Sequence, residues 1–215
     1  QSYSFRWNYQ LMAANGYIIV APSRRGMSGF GIAWNEQISK DYGGQNMKDY
    51  LAAIDDISKE SYVDTDRLGC VGASYGGYSA FYLAGIHEGR FKSFIAHDGM
   101  FNLRSMYGTT EELFFVNWDL GGVYWDENNV SAQKAFNEFN PVNYVDKWDT
   151  PILIIQGGQD FRIPIGQGLE AFQAAQLKGI KSKLLYFPEE NHWVLDGQNS
   201  FIWHTEFYKW LEETL

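Results

Sequence analysis

Cysteine is nearly absent from this chain of 215 residues, in which Cys70 is the single one. A disulfide within the chain is therefore excluded. Cys70 lies in the apolar stretch LGCVGA, which predicts a small buried side chain rather than a nucleophile. The chain also lacks the paired Cys and His spacings that bind structural metals. We therefore expect neither a metal nor another cofactor.

Positive charge and long apolar runs are also scarce. The chain has 17 Lys and Arg against 26 Asp and Glu, a formal net charge of −9. Nucleic acids and anionic membranes attract basic surfaces, and a membrane-spanning helix needs roughly 18 consecutive apolar residues. We therefore expect no nucleic-acid partner and no membrane span. The chain shows no initiator Met and no signal-peptide pattern, which leaves the compartment open.

Hydrophobic and aromatic residues, in contrast, are plentiful, at 45% and 17% of the chain. This composition is enough for a folded core. Short β-type runs alternate with longer amphipathic segments, which is typical of a parallel sheet covered by helices. Strands are predicted at residues 17–22, 68–73, 94–97, 152–156 and 183–187. Helices are predicted at residues 5–14, 45–58, 75–85, 165–178 and 201–215.

The alternation stops between residues 98 and 151. This stretch is rich in aromatic side chains and contains the adjacent glycines Gly121 and Gly122. We interpret it as an insertion over the end of the sheet and not as a separate domain. The sequence therefore predicts a single α/β domain.

The sharpest motif is GASYGG at residues 72–77, between a predicted strand and a predicted helix. In a G-x-S-x-G turn, the serine occupies a strained tip where its oxygen is exposed. Glycines two residues before and after the serine let the backbone pass closely. The motif alone also fits a glycine-rich turn with a bystander serine, but its context favours Ser74 as a nucleophile.

A serine hydroxyl is a weak nucleophile, so it needs a base and a carboxylate that orients the base. In α/β-hydrolases the chain order is serine, acidic residue, histidine, with each group following a strand. Asp160 follows the run ILIIQGG, and His192 follows LLYFPEEN. We predict a triad of Ser74, Asp160 and His192, with the backbone N–H of Tyr75 as an oxyanion donor.

The remaining histidines and the nearby aspartates fit these roles less well. His87 lies in a polar turn and His204 in a predicted helix, so both are interpreted as solvated or structural. His97 ends a strand but precedes the acidic residue, the wrong order for the base, so we expect it to line or support the site. Asp146 and Asp149 precede a strand, and we expect them at the opposite end of the sheet.

Taken together, these motifs resemble the catalytic domain of the prolyl oligopeptidase family of serine peptidases. The segments that carry the resemblance are GASYGG at 72–77, GGQDFRIP at 157–164, ENH at 190–192 and RRGMSGFG at 24–31. Read alone, the last of these is a glycine loop held by structural arginines. The resemblance implies an α/β-hydrolase fold, with a mostly parallel sheet and helices on both faces.

Within this family, three segments are most similar to the bacterial dipeptidyl-peptidase V and acylaminoacyl-peptidase branch. They are ANGYIIVAPSRRG, DYGGQNMKDYLAAID and VDKWDTPIL. The resemblance implies a peptide substrate that is cleaved near its N-terminus through an acyl-enzyme. Bacterial relatives of this branch are often exported to the periplasm. The full-length protein is a possible homodimer.

The family also carries segments that this chain does not show: an N-terminal β-propeller and early strands, one of which ends in a loop with a second oxyanion donor. The resemblance therefore implies that residues 1–215 are the C-terminal catalytic domain of a longer chain. We expect this portion alone to be inactive or nearly so, because losing one oxyanion donor costs roughly 10²–10³ in rate.

Six residues are candidates for substrate binding. An apolar wall is expected from four of them, namely Phe101, Met106, Tyr107 and Trp118. Ile163 is a further apolar candidate for substrate binding near the site. Arg162 follows the triad aspartate closely and would place a cation beside the pocket, where it could bind a substrate carbonyl or carboxylate. Ordinary core packing for the apolar residues, and a surface ion pair for Arg162, are the alternatives.

Two other functions remain open at this point. One is a carboxylesterase-like or lipase-like hydrolase, because a fold does not fix a function. The other is a non-catalytic binding domain that kept the fold. The complete triad disfavours the second, since such domains usually have a substituted nucleophile or base.

Overall fold

A parallel β-sheet forms the centre of the fold in the computed structural model, which describes residue 4 and residues 6–215. Its strands are β1 (Gly69–Ala73), β2 (Ser93–His97), β3 (Ile152–Gly157) and β4 (Ser182–Phe187). All neighbours are parallel, in the order β1-β2-β3-β4. The predictions for these four strands are confirmed, because each observed end lies within one residue of the predicted one.

Helices connect the strands and cover the sheet. Their bounds are α1 (Tyr9–Ala14), α2 (Ile32–Asn35), α3 (Gln45–Ile57), α4 (Tyr75–Leu83), α5 (Leu103–Tyr107), α6 (Leu113–Leu120), α7 (Val130–Glu138), α8 (Gly166–Leu177) and α9 (Gly197–Thr214). Short 3₁₀ helices in the described part of the chain span Glu36–Ile38 and Pro141–Lys147. The predicted helices at 45–58, 75–85 and 165–178 are confirmed.

The first and last helices begin at residues other than those predicted, because side chains cap them. Asn8 accepts a hydrogen bond from the N–H of Leu11, so α1 begins at Tyr9; residue 5, where this helix was predicted to begin, lies outside the described residues. Asp196 accepts hydrogen bonds from the N–H groups of Gln198 and Asn199. An N-cap of this kind fixes the start of a helix, so α9 begins four residues earlier than predicted.

The core lies on both faces of the sheet, because side chains of a strand alternate between its faces. On β3, Ile152 and Ile154 pack into one cluster with side chains from α4 and α8. Leu153 and Ile155 pack into a second cluster with α9. The large side chains that α9 contributes there are Trp203, Phe207 and Trp210. Since both faces are covered, β2 and β3 are buried along their whole length.

The strand predicted at residues 17–22 is wrong: these residues join no strand in the described part of the chain. A cleft of about 450 Å³ separates them from β1, and its lining includes Ile18, Val20, Cys70 and Val71. β1 is an edge strand on the side of this cleft. A β-type sequence becomes a strand only when a neighbour pairs with its backbone, and the described residues place no partner there.

The segment predicted as an insertion, residues 98–151, forms α5, α6, α7 and a 3₁₀ helix. Several of its aromatic side chains join the core cluster on the α4 face, namely Phe101, Phe136 and Trp148. Hydrogen bonds also tie its ends together, since the N–H of Val142 donates to the carbonyl of Phe101 at 3.1 Å. The insertion therefore extends the core of the domain.

Candidate active site

The four strands deliver polar side chains to one edge of the sheet. Ser74 follows β1, Asp98 follows β2, Asp160 lies just beyond β3, and His192 lies in the loop after β4. Because the strands are parallel, all four positions lie at the carboxyl edge, where α/β folds build their sites. The order of the strands therefore explains how residues far apart in sequence share one location.

Ser74 occupies a strained turn between β1 and α4. Its backbone has φ 58° and ψ −119°, outside the regions that residues with a side chain usually adopt. Two hydrogen bonds hold this geometry: the N–H of Ser74 donates to the carbonyl of His97 at 2.9 Å, and the N–H of Tyr78 donates to the carbonyl of Ser74. A strained serine fixed by its surroundings is the feature expected of a nucleophile elbow.

Glycines make this turn sterically possible. A Cβ at Gly72 would lie 2.3 Å from the carbonyl oxygen of Gly76, and one at Gly77 would lie 2.7 Å from the Cα of Gly99. Gly76 itself has open space at that position among the described residues. The close approaches on the helix side therefore involve Gly77, one residue later than the motif suggests, and they pack α4 against the end of β2.

Asp160 is held so that one oxygen faces the histidine. Its Oδ1 accepts hydrogen bonds from the N–H groups of Arg162 and Ile163, at 2.9 and 2.8 Å. Its Oδ2 lies 2.6 Å from Nδ1 of His192, and both side chains are buried. A carboxylate can only accept, so Nδ1 of His192 is the donor, and in the neutral ring the lone pair then lies on Nε2. This is the tautomer that a general base needs.

The loop that carries His192 packs on the loop that carries Asp160. The N–H of Gln159 donates to the carbonyl of Glu190 at 2.8 Å. Glu190 is buried, and its carboxylate accepts from the N–H groups of Leu195 and Asp196 and from the side chain of Asn199. These bonds tie the histidine loop to the start of α9.

Asp98 is a further buried acidic residue at this edge, and no sequence motif pointed to it. One side-chain ligand atom from each of Asp98, Asp160 and His192 lies within 4.8 Å of the others. The sequence feature that could have indicated Asp98 is its position directly after β2, because the other polar groups of the site also follow strands. The trio has the spacing of a metal site, but Asp160 and His192 already bond each other, so we assign no metal to it.

Four of the six candidates for substrate binding lie inside the domain. Phe101, Met106, Tyr107 and Ile163 are buried, and all four belong to the hydrophobic core on the α4 face. Their burial is what the core-packing alternative predicts. Aromatic and apolar residues in an insertion can equally fill a core, and here the insertion packs against the sheet.

The other two candidates for substrate binding remain at the surface. Trp118 is 64% exposed and stacks on Phe114, with ring centroids 6.3 Å apart. Arg162 forms an ion pair with Glu112 at 2.7 Å, so its cation is already partnered. Of these two, only Trp118 offers an exposed apolar face.

The other histidines and aspartates considered from the sequence have structural positions. His87 is buried, and its Nδ1 accepts from the N–H of Phe91, so it supports a turn and is not solvated. Burial is the largest cause that lowers the pKa of His87, with Asp149 acting in the opposite direction. Asp149 is exposed and directly precedes the segment leading into β3. His204 lies inside α9, as predicted.

Comparison with known proteins agrees with this fold. The model of the prolyl oligopeptidase family matches residues 3–215. Dipeptidyl-peptidase 5 of Porphyromonas gingivalis is 57% identical over 215 residues, covering 100% of this chain and 31% of that protein. The chain thus spans about a third of the length of that relative. No helix in the described part of the chain is long and apolar enough to cross a membrane.

Solved structures show the same fold at lower identity. The acylaminoacyl peptidase of Pyrococcus horikoshii has a TM-score of 0.71 and 22% identity, over 79% of this chain and 27% of that one. A puromycin-hydrolysing peptidase of Mycobacterium tuberculosis has a TM-score of 0.80 and 22% identity, over 89% of this chain and 28% of that one. With the family match, these similarities show that the chain has an α/β-hydrolase fold and belongs to the prolyl oligopeptidase family.

Proposed function

We propose that this chain is the catalytic portion of a serine peptidase that removes short units from the N-termini of peptides, with Ser74, Asp160 and His192 as its triad. The observation that carries this proposal is the pairing of Asp160 Oδ2 with His192 Nδ1 at 2.6 Å. This pair lies at the sheet edge where Ser74 occupies its strained turn. Serine, base and orienting carboxylate are the three groups that acyl transfer requires.

In the first half of the reaction, Oγ of Ser74 attacks the scissile carbonyl carbon while Nε2 of His192 takes its proton. His192 becomes an imidazolium, which Asp160 stabilises. The tetrahedral intermediate then collapses: the C–N bond breaks, and the amine leaves with the proton from Nε2. Water repeats the sequence on the acyl-enzyme, which releases the acid and restores Ser74.

The oxyanion of the tetrahedral intermediate needs donors in place before it forms. Tyr75 is the first residue of α4, so its N–H has no acceptor within the helix. The same helix end favours negative charge. We assign the N–H of Tyr75 as one oxyanion donor, and the second donor is proposed to come from a segment outside residues 1–215.

The names of the relatives support the peptide class. The relative at 57% identity is named dipeptidyl-peptidase 5, and a structural neighbour is an acylaminoacyl peptidase. We therefore propose release of dipeptides from a free N-terminus, by a longer protein that carries a β-propeller before residue 1. A homodimer of that longer protein is part of the same proposal.

The test is a substrate panel on the full-length protein: dipeptidyl amides with a free amine, acyl-alanyl amides and short acyl esters. Cleavage confined to the free-amine dipeptidyl amides is the expected result. Preference for acyl-alanyl amides would move the assignment to acylaminoacyl release. Cleavage of esters alone would replace the peptidase with an esterase, and no turnover together with no fluorophosphonate uptake would indicate a binding domain.

A further inference from the structure

Asp98 occupies an unusual position for a charged residue. Its side chain is fully buried, and its backbone φ of 45° lies in the left-handed region, which only a few residue types adopt readily. The N–H of Asp98 donates to the carbonyl of Ile155 at 2.9 Å, and Oδ1 accepts from the N–H of Gly157 at 3.0 Å. These contacts fix the carboxylate between β2 and β3, facing the carboxyl edge of the sheet.

The negative charge on the second oxygen of Asp98 is only partly offset by neighbouring groups. Oδ2 lies 2.9 Å from Nε2 of His97 and 3.7 Å from Nη1 of Arg6. Neither contact has hydrogen-bond geometry, so Oδ2 has no hydrogen-bond partner among the described residues. A buried carboxylate in that state exerts a strong field on its neighbours. One of those neighbours is His192, since Asp98, Asp160 and His192 present ligand atoms within 4.8 Å of one another.

His97 does not neutralise Asp98. Its Nδ1 accepts a hydrogen bond from Nε1 of Trp203 at 3.2 Å, so Nδ1 carries no proton. Burial is the main cause that lowers the pKa of His97, against the attraction of Asp98. The ring is therefore neutral at neutral pH, and it supports Asp98 as a dipole.

Arg6 is the cation that opposes Asp98. Its guanidinium carbon lies 4.8 Å from the centre of the Trp193 ring, next to His192, and Nη1 lies 3.4 Å from Nδ1 of His97. Burial lowers the pKa of Arg6, while the charges of Asp98 and Asp160 act in the opposite direction. A guanidinium nevertheless stays charged at any working pH.

Charged and titratable groups near His192 come from several parts of the described chain. They are Asp160 after β3, His97 and Asp98 at the end of β2, Arg6 before α1, and Glu190 in the histidine loop. Glu190 is already bonded to two backbone N–H groups and the Asn199 amide. Among the described residues, Asp98 lies with Asp160 in the 4.8 Å cluster that includes His192, and Arg6 is the cation that faces Asp98.

We propose that Asp98 is a second carboxylate for His192: a positioning residue that stabilises the imidazolium formed during acyl transfer, with Arg6 as the opposing charge that limits this effect. The inference rests on the proposed serine-peptidase function. The negative charge of Asp98 favours proton transfer from Ser74 to His192, whereas the positive charge of Arg6 opposes it. Removing either charge should therefore move the acid limb of the pH–rate profile, in opposite directions.

The experiment compares kcat/KM against pH for the full-length protein with a dipeptidyl amide. Asp98→Asn keeps the shape of the side chain and removes its charge, so the acid limb should move to lower pH by about one unit. Plateau kcat/KM should fall roughly threefold to tenfold, because the imidazolium formed during acyl transfer loses a stabilising negative charge. Arg6→Gln should move the acid limb to higher pH, and Arg6→Lys, which keeps the charge, should leave it in place.

The control is Asp149→Asn, which removes one exposed carboxylate on the segment that leads into β3 from the opposite end of the sheet; its acid limb should match that of the unaltered protein. An acid limb in Asp98→Asn that is unmoved or shifted to higher pH would overturn the proposal. If Asp98→Asn does not fold, the Arg6→Gln variant tests the proposal by itself. An acid limb of its pH–rate profile at higher pH supports the proposal, and an unmoved acid limb refutes it. Absence of dipeptidyl turnover in the unaltered protein would instead refute the proposed function.

Discussion

The backbone of Gly157 lies so close to the carbonyl oxygen of Asn191 that a Cβ at position 157 would stand 2.3 Å from it. The same Cβ would lie 2.7 Å from the carbonyl oxygen of Glu190. Both atoms belong to the backbone, so neither can rotate away. The loop that carries Asp160 and the loop that carries His192 therefore meet through a position where only glycine fits.

Gly157→Ala should separate these two loops. Because a displacement of about 1 Å in a catalytic group can cost roughly a hundredfold, kcat should fall by about that factor. Steady-state kinetics on the full-length protein measure this. Gly166→Ala is the matched control, since a Cβ at that position meets nothing within 4 Å among the described residues. Equal activity of the two variants would show that the close approach is not needed.

Asp160→Asn should lower kcat by about 10⁴-fold. Oδ1 of Asp160 accepts two backbone N–H groups, so the amide oxygen of asparagine takes that place and its NH₂ group faces Nδ1 of His192. The imidazole must then accept at Nδ1 and carry its proton on Nε2, where it cannot take a proton from serine. Rate measurements on Asp160→Asn beside Asp146→Asn, a residue in the 3₁₀ helix before β3, test this. Comparable rates in both would contradict the assignment.

Glu190→Gln should destabilise the histidine loop. The carboxylate accepts three hydrogen bonds from N–H donors, and a glutamine would direct its own NH₂ group at one of those donors. An unsatisfied buried donor costs about 1–3 kcal/mol. Thermal unfolding of the two proteins should show a lower Tm for Glu190→Gln. An unchanged Tm would mean that the loop does not depend on this residue.

Acid should destabilise the fold partly through His87, whose pKa burial lowers. Above about pH 6.5 the ring is neutral in both the folded and the unfolded chain. Below that pH the unfolded chain takes up a proton that the folded chain does not, so the free energy of unfolding falls as pH falls. His87→Gln removes this contribution, and its Tm should drop less between pH 7 and 5.5. A parallel drop in both proteins would count against a buried neutral His87.

Much of the fold could be predicted from local pattern. β2 and β3 are largely apolar and are buried on both faces, and their ends follow from the sequence within one residue. The chain order of Ser74, Asp160 and His192 was enough to nominate the residues that the parallel strands bring to one edge. The strand prediction for residues 17–22 was wrong because strand formation depends on a pairing partner, which a local pattern does not reveal.

The surroundings of the site were harder to predict. Phe101 and Met106 have the residue types of a pocket wall, but only the packing of the insertion shows that they are buried in the core. Asp98 was missed because triad reasoning asks for one carboxylate, and Asp160 already filled that role. Its proximity to His192 depends on the β2–β3 register, in which His97 pairs with Ile155.

Ser74 as the nucleophile is the assignment on which the proposed acyl transfer depends most directly. The decisive measurement is turnover of a dipeptidyl amide by the full-length protein and its Ser74→Ala variant, with fluorophosphonate labelling followed by peptide mapping in parallel. We expect the label on Ser74 in the unaltered protein, and a fall in kcat of about 10⁴-fold or more in the variant. Near-normal turnover by Ser74→Ala, or a label on a different residue, would contradict the account.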